Sequence, residues 1–291
     1  MTHPANGGRA AGEGAAHLGG PWLLLRGLTR EAGHWGEFPR QLQAALPGAQ
    51  ILTIDLPGNG VLHGQPSPPG IAGMLAACRA ELAGRGVTEP VHVVAMSLGA
   101  MVAVAWAQAH PAELAGCVLI NGSLRGISPI HQRLRPGSWL PLLSMPFRRT
   151  ARAREAAILR LTSHRAPPEV LDEWTRLAER RPVSTRNALC QLVAAARFRA
   201  PAGRPAPPML VLCGGRDALV SPECSLTLAR QWDLPVHLHP GAGHDLPLDD
   251  GPWVAERIRE WAAALDSTHA RGPEEGVEPA APAGTARKCW P

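Results

Sequence analysis

At 291 residues, with 45% hydrophobic residues and a formal charge of +5, the chain can bury a large core and has no overall basic excess of the kind that marks a nucleic-acid binder. No run approaches the roughly 20 uninterrupted apolar residues of a membrane span, and the first residues lack the apolar centre of a secretory signal, so a cytoplasmic protein is predicted. Cys78, Cys117, Cys190, Cys213, Cys224 and Cys289 show neither metal-ligand spacing nor a C-x-x-C pair, so no zinc site, disulfide frame or cofactor is expected.

Residues 1–20 are rich in Gly and Ala, and 267–291 in Pro, Gly and charge, which predicts two disordered tails. Between them, short apolar runs recur, each closed by a turn signal: WLLL before Arg26, ILTIDLPG from Ile51, VHVVAMS from Val91, CVLING from Cys117, MLVLCGGRD from Met209 and VHLHPGAGH from Val236. Runs without alternation suit strands buried on both faces. Helical patterns separate them at Trp35–Leu46, Gly70–Leu82, Leu98–His110, Pro222–Trp232 and Trp253–Leu265. The expected fold is therefore α/β, a mostly parallel sheet with helices on both faces, formed by 21–124 and 200–266.

The alternation stops over 125–199, where three helical patterns follow one another without a strand. This stretch holds 15 arginines against five acids. An all-helical insertion at this point would sit over the carboxyl ends of the strands and act as a lid, with Trp139, Leu142, Leu143 and Phe147 as candidate pocket residues.

The segment VHVVAMSLGAMVAVAWA carries the chemistry, because a buried strand delivers Ser97 to a turn that becomes an apolar helix at once. Small residues two before and two after such a serine let strand and helix approach; Ala95 and Gly99 occupy those places. A serine that merely caps the helix is the bland alternative. A nucleophilic serine needs a base and an acid to orient it. Asp217 and His244 each follow a strand end. Asp245, adjacent to His244, is the rival acid, but it cannot easily fold back onto that ring. His92, His237 and His239 lie within strands and read as structural, and His34 and His63 lie in loops near the mouth.

Over residues 21–265 the chain resembles the α/β-hydrolases. The order Ser97, Asp217, His244 is theirs, DLPGNG (Asp55–Gly60) matches a segment of theirs with Asn59 where histidine is frequent, and LLLRGL places Arg26 where they carry the histidine of a His-Gly pair. The resemblance implies an oxyanion hole from the backbone N–H groups of Leu28 and Leu98, with Arg26 tying loops together or modulating the site. It implies ester hydrolysis through a serine acyl-enzyme, with no cofactor and no metal. A weaker resemblance, to carboxylesterases related to pimeloyl-acyl-carrier-protein methyl ester esterase, gives the arginine-rich lid a partner, an acidic acyl carrier protein. A serine at the elbow argues against the aspartate-dependent dehalogenase and epoxide hydrolase branches. A lyase or carbon–carbon bond hydrolase with the same triad, and a non-catalytic binding protein keeping the fold, stay open. Acyl length, leaving group and oligomeric state are not legible.

Overall fold

The six apolar runs form six strands in the computed structural model, which describes residues 18–270. They are β1 (Gly20–Leu25), β2 (Ala49–Ile54), β3 (Val91–Met96), β4 (Leu114–Ile120), β5 (Met209–Gly214) and β6 (Val236–His239). All pair in parallel in the order β2-β1-β3-β4-β5-β6. Parallel neighbours need crossovers, and helices supply them: α1 (Phe38–Ala45), α2 (Ile71–Gly84), α3 (Leu98–Ala109) and, after a helical insertion, α9 (Pro222–Trp232).

In the central strands, which are largely apolar, side chains still alternate between faces, and the two faces belong to two cores. Leu23, Leu25, Val93, Ala95, Leu119 and Val211 pack with α2, α3 and α9. Trp22, Leu24, Val94, Met96, Ile120 and Leu212 pack with α1 and the C-terminal helix α10 (Leu246–Ala270). Burial on both sides leaves the strand ends as the place for polar chemistry. Register brings Leu25 beside Ala95 and Met96 beside Ile120, so the residues after β1, β3 and β4 emerge at one edge.

Between β4 and β5 the chain forms only helices: α4 (Ile130–Arg133), α5 (Pro136–Leu143), α6 (Ala151–Thr162), α7 (Glu169–Arg180) and α8 (Thr185–Arg197). The last three are the expected ones. Thr150 and Ser184 cap α6 and α8 by accepting from Ala153 N and Asn187 N. The first two were not legible, since Pro136, Gly137 and Pro141 within eight residues mask the periodicity of α5. Pro136 at the helix start costs no hydrogen bond, because the first N–H groups have no intrahelical acceptor.

Two boundaries differ from expectation. The predicted tails lie outside the described residues except at 18–20 and 267–270: Gly20 opens β1 opposite Ala49, and α10 runs on to Ala270. Extending an existing helix fixes few dihedrals per added hydrogen bond, so polar residues continue it. At its other end α10 begins at Leu246, before the predicted start, and kinks at Asp250 (φ −155°, ψ 72°) ahead of Pro252.

Candidate active site

Ser97 sits between β3 and α3 with φ 55° and ψ −113°, a left-handed conformation costly for any residue with a Cβ. The turn is held by its neighbours: Ser97 N donates to Ile120 O at 2.9 Å, and Ala100 N donates to Ser97 O at 3.1 Å. Gly99 is required here, because a Cβ on it would lie 2.6 Å from Leu25 O and 2.8 Å from Arg26 O. Ala95, buried within β3, is accommodated without a second glycine. The elbow places the serine side chain half-buried at the strand edge, and its hydroxyl makes no hydrogen bond among the described residues.

Asp217 and His244 meet at the same edge. His244 Nδ1 lies 2.7 Å from Asp217 Oδ2, and both side chains are nearly inaccessible. The other carboxylate oxygen accepts from Leu219 N at 2.8 Å and Val220 N at 2.9 Å. An ionised carboxylate is suited by three such donors, and the contact fixes the proton of His244 on Nδ1, leaving Nε2 as an acceptor. Asp217 is therefore the carboxylate paired with His244. Asp245 points elsewhere.

Three residues hold the His244 loop: Asn121 and Asp249, which the sequence did not mark, and His239, read from it as structural. Asn121 ends β4 at φ 48°, donates to His244 O at 2.7 Å and accepts from Gly214 N at 2.9 Å. Asp249 accepts from Gly243 N at 2.6 Å and caps the chain leaving α6 through Ser163 Oγ, His164 N and Arg165 N. His239 accepts from Gly241 N and Ala242 N on Nδ1, with Asp250 Oδ2 3.1 Å from Nε2. The asparagine after CVLI was the available signal for the first; the others depend on chain paths that no motif encodes.

Arg26, at the end of β1, is buried and forms a two-pronged pair with Asp245, Nη1 to Oδ1 at 3.0 Å and Nη2 to Oδ2 at 2.6 Å. Its Nη1 also lies 3.4 Å from Met96 Sδ, and its guanidinium carbon is 4.8 Å from the Trp35 ring centroid. The partner of Arg26 is thus the residue after His244, and the pair ties the β1 end to the His244 loop. Next along the chain, a Cβ on Gly27 would meet Ser97 Cβ at 3.0 Å, so this loop passes directly over the serine. Leu28 is half-buried, and Leu98 is the first residue of α3. Among the described residues neither of their backbone N–H groups donates to a protein acceptor.

The insertion binds the loops of this edge through buried polar contacts. Gln191 of α8, fully buried, accepts from Thr29 N at 2.7 Å and donates to Asn59 Oδ1 at 2.7 Å and Ser67 Oγ at 3.0 Å. Asn59 completes the chain by donating to Arg30 O. Arg30 pairs with Glu155 of α6 at 2.6 Å and lies 4.5 Å over the Trp174 ring of α7. His34 packs edge-on against the same Trp174 ring. Burial first, then the cations Arg30 and Arg26, push its pKa well below the ordinary 6.5.

His92 stacks on Trp22 in the core, as a structural histidine would. His63, half-buried in its loop, turns its Nδ1 to Gly60 O. Burial pushes the thiols of Cys78, Cys117 and Cys213 up to about 12, so they stay protonated and unreactive near neutral pH. Of the four expected pocket residues, Phe147, Leu143 and Trp139 are 84%, 71% and 43% exposed and Leu142 is half-buried, so they do not form an enclosed wall. The proline-broken α5 is too short to turn them all inward. A cleft of about 250 Å³ between α6 and α7, lined by Leu159, Ser163, His164 and Leu171, does not include Ser97. No helix among the described residues is long and apolar enough to cross a membrane.

Solved structures with the same fold include a Mycobacterium tuberculosis protein assigned as a non-heme bromoperoxidase, at 20% identity and TM-score 0.69, covering 85% of this chain and 93% of that one. An esterase from Thermogutta terrifontis is 22% identical with TM-score 0.67, covering 85% and 91%. A protein of Acinetobacter baumannii assigned as a lipase is 18% identical with TM-score 0.68, covering 88% and 87%. No curated protein sequence matches. The alpha/beta hydrolase family matches residues 22–257, which spans the serine elbow, the acid and the histidine, and the chain belongs to that family.

Proposed function

We propose that the chain is a serine hydrolase that cleaves a carboxylic ester through an acyl-enzyme. The observation carrying this reading is the buried Asp217–His244 pair at the same sheet edge as a strained Ser97 whose hydroxyl has no hydrogen-bond partner among the described residues. In this mechanism His244 Nε2 takes the Ser97 proton as Oγ attacks the ester carbonyl. The developing oxyanion lies between the N–H groups of Leu28 and Leu98, which are donors with no competing protein acceptor. His244 then gives its proton to the departing alcohol; in the second half it takes a proton from water as the water oxygen attacks the acyl carbonyl, and it returns that proton to Ser97 Oγ as the Oγ–acyl bond breaks and the acid leaves. Asp217 keeps the imidazole in the required tautomer and stabilises its cation.

The insertion serves as a lid over this edge. Its support is the set of ties from α6 and α8 to the loops beside the serine, including Asp245 N donating to Thr162 O at 2.7 Å. Fluorophosphonate labelling tests the reading, since only an activated serine reacts readily. Labelling at Ser97, abolished by Ser97→Ala and His244→Ala, together with turnover of p-nitrophenyl esters of some chain length, is the expected result. An unlabelled wild-type protein would mark it as a non-catalytic binding protein. A labelled protein inert to every ester would favour the carbon–carbon bond hydrolase or lyase.

A further inference from the structure

The segment from α5 to the turn after it combines two features that rarely share one surface. Leu140, Leu143 and Phe147 are 78%, 71% and 84% exposed, and Trp139 is half exposed with its indole N–H anchored on Leu134 O. Isolated exposed leucines need no explanation, but four large apolar side chains within nine residues do. Packing does not account for them, because α5 touches chiefly the short 3-10 turn Met145–Phe147 that follows it.

The flanks are entirely cationic. Residues 114–154 contain seven arginines and no aspartate or glutamate. Among the described residues only Arg152 of these seven pairs with a carboxylate, that of Asp172. Arg148 and Arg149 directly follow Phe147. Arg133 is buried, but Arg135 and Arg149 are exposed and have no carboxylate partner among the described residues. Aromatic and leucine side chains set between such arginines match the interface of an anionic bilayer, where the apolar groups enter the acyl boundary and guanidinium groups meet phosphates.

We propose that α5 and the turn after it dock the protein peripherally on an anionic lipid surface. An acidic carrier protein would be met by the arginines alone and would leave Leu140, Leu143 and Phe147 in water. A lipid surface uses both. The surface lies on the insertion, so docking would bring the lid itself to the bilayer. This binding does not depend on the chemistry at Ser97.

Flotation of the full chain with vesicles of phosphatidylcholine, with and without phosphatidylglycerol, tests it. The wild-type protein should bind the phosphatidylglycerol vesicles about tenfold more tightly than the neutral ones, with the preference weakened by high salt. The triple variant Leu140→Gln, Leu143→Gln, Phe147→Gln should lose binding about tenfold or more while melting as the wild type does, since the three side chains are exposed. Arg149→Glu should reduce the anionic preference with the apolar residues intact. Absence of wild-type flotation overturns the proposal. So does a triple variant that floats like the wild type, or wild-type retention on an immobilised acyl carrier protein with no binding to vesicles.

Discussion

Arg26 and Asp245 are 219 positions apart, yet they form a buried two-pronged ion pair that joins the loop over Ser97 to the loop carrying His244. Charges removed from water need matched partners, and a planar guanidinium facing a carboxylate supplies two parallel hydrogen bonds. Removing one partner strands the other. Asp245→Ala should therefore destabilise the fold by about 3–5 kcal/mol, read by urea unfolding. Arg26→Ala with Asp245→Ala should recover part of that loss. In the single variants kcat should fall more than KM rises, because the pair positions the elbow and base rather than the substrate. Losses in the two single variants that simply add in the double variant would show that the pair is uncoupled.

The Asp217 carboxylate accepts two backbone N–H groups on one oxygen and the His244 proton on the other, so an amide can keep both backbone contacts on its oxygen but would turn a donor NH2 toward the ring. Asp217→Asn should fold normally and lower kcat by about three to four orders of magnitude. Ester turnover near the wild-type rate in this variant would assign the orienting role to another group.

The two variants bear on very different degrees of sequence legibility. The strands were readable because burial on both faces demands unbroken apolar runs, and Ser97, Asp217 and His244 because each follows such a run into a turn. The partner of Arg26 was not readable: Asp245 is adjacent to the base, but only the path of the His244 loop turns it toward β1. Asn121 and Asp249 act on backbone groups, which leave no residue-type pattern. Helix α5 escaped because Pro136, Gly137 and Pro141 hide its periodicity: Pro136 takes the first helical position, where no N–H is needed, but Pro141 lies inside the helix. The burial of the insertion's contacts depends on tertiary docking.

His34 gives the fold an acid limit. Its Nε2 lies 2.8 Å from Arg30 Nη1, and its Nδ1 lies 3.1 Å from Glu31 N and 3.3 Å from Glu31 O. Burial and the two arginines hold its folded pKa well below 6.5. The unfolded chain then binds the proton first as pH falls, so stability from this residue is present above about 6.5 and is lost progressively below it. Urea midpoints measured from pH 8 to pH 5 should drop more steeply in the wild type than in His34→Gln. Parallel pH profiles would remove His34 from the account.

Gln191 closes the connection between α8 and the loops beside the serine. It satisfies Thr29 N, Asn59 Oδ1 and Ser67 Oγ from one buried amide. Thr29 is itself held at φ 58°, a conformation that needs support. The usual histidine of the Asp-x-Pro-Gly-x-Gly segment is replaced by Asn59, whose amide both donates to Arg30 O and accepts from Gln191. Gln191→Ala leaves those groups buried without their partner and should destabilise by about 1–3 kcal/mol. Gln191→Glu keeps the acceptor for Thr29 N but turns the two donated hydrogen bonds into oxygen–oxygen contacts, so it should fare no better. Because the loss loosens α8 as well as the loop over Ser97, protection of Thr29 and of α8 amides from hydrogen exchange should fall together while β3 and β4 stay protected. Loss of protection at Thr29 alone would mean that the loop and the insertion open independently, and that Gln191 braces the loop without latching the lid.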